Sequence, residues 1–125
     1  MEVSKKTILV VENDFLLRRM ICEALEDAGF HTIAAASSPE AKRRLGQEAA
    51  DLVLTRLHPL ADGKKFRDEI SHDPGFAPRA VVLFATTAAE AAAAGEPVIE
   101  IARGPEGIGR LIDTVRLRLG EPATA

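Results

Sequence analysis

Four short runs of mostly β-branched apolar residues punctuate the chain: Ile8-Leu9-Val10-Val11, Leu52-Val53-Leu54, Val81-Val82-Leu83-Phe84 and Val98-Ile99. Each is continuous rather than alternating, which is the pattern of a strand covered on both faces. Between these runs the apolar period lengthens to that of a helix. Leu17, Met20, Ile21, Ala24, Leu25 and Ala28 recur at helical spacing, and Gly29 follows where a left-handed cap belongs. Phe30 to Ala35, with His31 and Thr32, reads as a more polar strand. Ser38-Pro39-Glu40 then supplies an N-cap, a first-turn proline and an acid suited to the positive end of a helix dipole, which predicts a second helix from Pro39 to about Gln47.

Farther along, Asp62-Gly63 reads as a loop end, and Phe66 with Ile70 gives a short third helix one apolar stripe before His72-Asp73-Pro74-Gly75 closes it. From Ala88 to Ala94 nearly every residue is alanine, so the helix propensity is high but there is little bulk to bury. That fourth helix is expected to be short and weakly docked. Ile108, Leu111, Ile112, Val115 and Leu119 share one face of a last helix, and Gly120 with Pro122 stops it. Residues 1–120 are expected to form one domain, and 121–125 a mobile tail.

Five strand-helix units in alternation predict an α/β fold in which right-handed crossovers put helices on both faces of a parallel, doubly wound sheet. The polar second strand and the Glu100-bearing fifth belong at the edges, which gives the order 2-1-3-4-5. In such a flavodoxin-like layout a site forms at the carboxyl ends of the strands beside the switch in order. The residues placed there are Glu12-Asn13-Asp14, Thr55-Arg56, Thr86 and Ile101.

Composition narrows the function. At 125 residues the chain makes one core, and 16 Lys plus Arg against 19 Asp plus Glu leave a net charge of −3, which opposes binding to nucleic acid or anionic lipid. No run is long enough to span a bilayer, and the start of the chain lacks a secretory apolar core, so a cytoplasmic protein is expected. Cys22 is the only cysteine, which excludes an intrachain disulfide and points to ordinary packing. His31, His58 and His72 are scattered without metal spacing, and Lys42-Arg43-Arg44, Arg116 and Arg118 read as solvated helix faces. A nucleotide or flavin site fails locally. The turn after the first strand is acidic, no Walker or dinucleotide fingerprint occurs, and neither Trp nor Tyr is present to stack on a flavin.

The ordered set of strand ends resembles the receiver domain of bacterial two-component response regulators, the CheY-like family, over nearly the whole chain. Ile8-Leu9-Val10-Val11-Glu12-Asn13-Asp14 is similar to the family's first strand with its acidic cluster. Asp51-Leu52-Val53-Leu54-Thr55 is similar to the strand that ends in the phosphoacceptor aspartate, with Pro59 and Asp62-Gly63 resembling the loop after it. Thr86 falls at the family's switch Ser/Thr, and Pro97-Val98-Ile99-Glu100 resembles the strand leading to its Lys-Pro pair. The resemblance implies phosphoryl transfer from a histidine to the aspartate, with Mg²⁺ held by the acids and the hydroxyl and lysine engaging the phosphoryl oxygens.

Most of those parts are replaced. Matching along the strand puts Arg56 at the acceptor position; matching backward from Pro59 and Gly63 puts Thr55 there. Neither is a carboxylate, and a guanidinium is neither nucleophile nor metal ligand. Ile101 and Ala102 stand where the lysine and proline belong, and Asn13 replaces the second acid. The expectation is a phosphorylation-incompetent receiver, not an enzyme, without a working Mg²⁺ site and without other cofactors. It would act as an interaction module for a protein partner such as a sensor kinase or effector. Arg56 is expected to pair with Glu12 or Asp14 in place of the cation; the alternative is that Asp14 only caps the first helix while Arg56 points to solvent. The other functional possibility is a phosphorelay receiver that uses Asp14 or Asp62. Receivers use the fourth helix, fifth strand and fifth helix for partners, which makes Ile99 and the outward-facing Leu117 the candidate partner face and a homodimer through the last helix possible.

Overall fold

In the computed structural model, described for residues 5–56, 60–75, 80–101 and 105–120, the centre of the molecule is a strand buried from its second residue onward. β1 (Thr7–Val11) lies between β2 (His31–Ala35) and β3 (Leu52–Arg56), with β4 (Ala80–Ala85) and β5 (Ile99–Glu100) beyond β3. The five strands are parallel in the order β2-β1-β3-β4-β5. This is the order and class read from the sequence, and the polar second strand and Glu100 do lie at the edges.

Successive side chains leave a strand on opposite faces, so each continuous apolar run feeds two cores. Ile8, Val10, Leu52, Leu54, Val82 and Phe84 pack on one face against Ile21 and Leu25 of α1 (Phe15–Asp27) and Leu111 and Val115 of α5 (Pro105–Arg118). On the other face Leu9, Val11, Ile33 and Val53 meet Ala41 and Leu45 of α2 (Ser38–Gln47) and Phe66 and Ile70 of α3 (Leu60–His72). Burying each of the larger side chains stabilises the fold by about 1.5–3 kcal/mol. α4 (Ala88–Ala93) is the exception the alanines lead one to expect: six residues with none buried, followed by the buried Ala94.

Several local expectations need correction. Ser37, not Ser38, caps α2. Its backbone is extended, and its Oγ accepts from Glu40 N–H at 3.3 Å, which leaves Ser38 and Pro39 inside the first turn. Asp62-Gly63 does not end a loop but belongs to a thirteen-residue α3. Asp62 suits the positive helix N-terminus, and Gly63 is buried on the same stripe as Phe66 and Ile70, so burial outweighs glycine's low propensity. Met20 is 56 % exposed rather than part of the α1 stripe. It lies about 100° round the helix from Ile21, on the side away from Leu25. Gly29, at φ +99°, does take the left-handed position after α1. No helix among the described residues is long and apolar enough to cross a membrane.

Candidate functional site

Where β1, β3 and β4 end, side chains from all three strands converge. Glu12 follows β1 directly and is almost fully buried, with its own N–H on Ala35 O at 3.0 Å. The carboxylate is gathered in by two donors. Asp14 N–H reaches Glu12 Oε1 at 2.9 Å, and Arg56 Nη1, from the last residue of β3, donates to the same oxygen at 2.9 Å. Arg56 Nη2 donates to Thr86 Oγ1, just past β4, at 2.9 Å. One guanidinium therefore ties the ends of three adjacent strands.

The reach is set by register. β3 runs one residue past its pairing with β1, since Val11 pairs with Thr55, while Arg56 pairs with Phe84 two residues before Thr86. Arg56 thus sits between the two strand ends whose polar groups need a donor. Of the two candidates for the acceptor position, Arg56 joins Glu12 and Thr86. Thr55 is buried, and its hydroxyl makes only a 3.5 Å contact to Arg56 O.

Charge explains the burial. A carboxylate this deep is costly unless paired and hydrogen-bonded, and Arg56 supplies both the charge and the bond. The pairing is incomplete, because Glu12 Oε2 and Arg56 Nε have no hydrogen-bond partner among the described residues. Arg18 Nη1 adds a bond to Glu12 O at 2.7 Å while its guanidinium lies over the Phe15 ring, 5.6 Å from the centroid. Thr86 is held from behind by its own N–H on Glu90 Oε2 at 3.2 Å.

The remaining sequence candidates divide. Asp14 is the N-cap of α1, its Oδ1 accepting from Leu17 N–H at 3.0 Å, so the capping role and the Arg56 pairing coexist on different acids. Asn13 and Asp62 line an open cavity of about 440 Å³ with Glu12 and Arg56, and Lys42 pairs with Glu69 at its rim. That cation holds the Glu69 carboxyl below its usual range. Ile101 does not join the cluster. Its side chain is buried in the core with Leu111 and Val115, and only its backbone N–H reaches back, to Ala85 O at 2.8 Å. Ile99 is half-buried against the same core, and Leu117 is 63 % exposed on α5. Burial pushes the Cys22 thiol up, away from reactive thiolate chemistry. His58, Pro59, Ala102 and the 121–125 tail lie outside the described residues.

Two features escaped the sequence. Lys64 and Arg67 of α3 both pair with Glu96 after α4, a contact between elements that no local pattern signals. Phe15, Leu16 and Met20 are exposed together on the first turns of α1, and only the angular position of the Ile21–Leu25 stripe separates them from core residues.

No protein-family model matches the sequence, and no curated protein does. Solved structures do. A response regulator from Thermotoga maritima superposes with a TM-score of 0.73 at 21 % identity, over 94 % of this chain and 100 % of that one. The chain has the CheY-like receiver fold. The chemotaxis response regulator CheY4 of Vibrio cholerae gives 0.67 at 20 % identity over 90 % of this receiver-fold chain and 99 % of its own. The response regulator TrrA from Thermotoga maritima, in complex with Mg²⁺ and BeF, gives 0.70 at 22 % over 90 % and 98 %.

Proposed function

We propose that this receiver-fold chain is a module of two-component signal transduction that takes up no phosphoryl group and works, in the cytoplasm, by presenting a fixed surface to a protein partner such as a sensor kinase or an effector. It is a binding module, not an enzyme. The observation that carries this is the Arg56 guanidinium at the end of β3, bonded to Glu12 on one side and Thr86 on the other. An acceptor must be a nucleophile, and a guanidinium is not one.

The donor set also fits Mg²⁺ poorly. The divalent ion wants several carboxylate or carbonyl oxygens, yet Glu12 Oε1 already accepts from Arg56 and Asp14 N–H, and a fixed positive charge stands 2.9 Å away. Ile101, buried in the core, brings no cation to hold a phosphoryl anion. The partner face is α5 with Ile99, where Leu117 stands exposed and a homodimer through α5 is the simplest assembly.

The test is incubation with acetyl phosphate and Mg²⁺ followed by intact-mass measurement. Unchanged mass is expected, and an added phosphoryl group overturns the proposal. One observation favours a second reading: Asp62 is exposed and lines the same cavity as Glu12, whereas Asp14 is engaged as a cap, so a phosphoryl group found on the chain would be sought first on Asp62 and then on Asp14. Arg56→Asp, which restores a carboxylate, should bind Mg²⁺ more tightly than the parent by a spectroscopic titration. Leu117→Glu should abolish any concentration-dependent gain in mass in solution.

A further inference from the structure

β5 is only two residues long. It pairs with Phe84 and Ala85 in a parallel register that already gives Leu83 O to Ile99 N–H, so on the outer side of β4 only the stretch before it, up to the Leu83 N–H, has no partner strand among the described residues. The sequence supplies the reason: Pro97 has no N–H to give a ladder, and the chain joins the sheet only after it. Ile101 N–H donates to Ala85 O at 2.8 Å, so Ala85 turns its backbone groups outward. Alternation along the strand turns those of Val81 and Leu83 the same way.

A groove of about 410 Å³ follows this edge. On the α3 and α4 side its surface is apolar, made by Val81, Leu83 and Val98. At that rim Arg67 and Glu96 neutralise each other. On the α5 side the rim carries Arg118, which is exposed and has no ion pair among the described residues. The groove therefore offers the Leu83 N–H and both main-chain groups of Val81 along its floor, an apolar wall on one side and an unmatched positive charge on the other.

We infer that the outer edge of β4 receives an extended segment of a partner protein as an added strand, with alternate side chains apolar toward Leu83 and Val98 and acidic toward Arg118. Main-chain pairing supplies the attachment, and the two faces supply the selectivity. The free edge from Val81 to the Leu83 N–H spans about 10 Å, enough to pair three residues of the incoming segment. The groove shares no residue with the Arg56 cluster, so this site stands or falls separately from phosphoryl acceptance.

The test uses the full chain, isotopically labelled, titrated with the capped hexapeptide Val-Glu-Val-Glu-Val-Thr. Controls are the same peptide N-methylated at alternate residues and one with Lys for Glu. Amide exchange of Val81 and Leu83 should slow at least tenfold with the first peptide and stay unchanged with either control. Arg118→Glu should weaken binding at least tenfold and reverse the preference toward the Lys peptide. Absence of protection at millimolar peptide, or protection equal with the N-methylated control, overturns the proposal. So does protection without peptide that grows with protein concentration, which would assign the edge to a second copy of the chain.

Discussion

Replacing Arg56 with methionine keeps most of the side-chain volume and removes the charge that faces Glu12. The Glu12 carboxylate is then left buried with the Asp14 backbone N–H as its remaining donor. Two unit charges about 4 Å apart at an effective dielectric of 20 attract by about 4 kcal/mol, and removing one partner of a fully buried pair costs about 3–5 kcal/mol. Arg56 retains 19 % side-chain exposure and Glu12 keeps its amide bond, which brings the expected loss to about 2–3 kcal/mol. With a urea m-value of about 1.5 kcal/mol/M, the midpoint should fall by about 1.3–2 M. Glu12→Gln alone should cost a similar amount, because Arg56 is then left charged and half-paired. The double variant should be closer to the parent than the sum of the singles, with a coupling of at least about 1 kcal/mol in the cycle. Losses below about 0.5 kcal/mol in both single variants, or strict additivity, would refute the reasoning that these groups need each other.

Three further outcomes are expected. Asp14→Ala removes the α1 cap and should cost about 1 kcal/mol in urea unfolding, with no change in fold by circular dichroism. Gly29→Ala meets no atom within 4 Å, yet forces an L-residue to φ +99°, so a loss of about 1 kcal/mol should appear without any packing defect. Glu69 has its carboxyl lowered by Lys42, so the pair's contribution is present above about pH 4.5 and is lost as pH falls through the lowered value; Lys42→Met should flatten that part of the stability profile between neutral and acid pH.

The fold was legible because strand and helix periods differ and the parallel sheet demands apolar strands on both faces, as Ile8 to Val11 and Leu52 to Leu54 show. The polar groups gathered at the strand ends were legible too, since Glu12, Arg56 and Thr86 each follow or end a run whose direction is fixed by topology. What the chain did not disclose was local competition. Asp62-Gly63 carries the chemistry of a turn, but burial of Gly63 with Phe66 and Ile70 recruits it into α3. Met20 has the chemistry of a core residue, but a rotation of 100° leaves it in water. Which acid Arg56 would choose was also open. The choice falls on Glu12 because Asp14 is already committed to Leu17 N–H and starts the helix. The Lys64–Glu96–Arg67 pairing joins residues about thirty positions apart, beyond the range of any periodic signal.

A guanidinium that spans three strands has a mechanical consequence as well as an electrostatic one. The carboxyl ends of β1, β3 and β4 hang from a common rivet, so none of them can move outward without breaking a bond that also restrains the other two. Opening at this end of the sheet is then a single concerted event rather than three separate ones, and amide protons around Glu12, Arg56 and Thr86 should exchange with one shared rate.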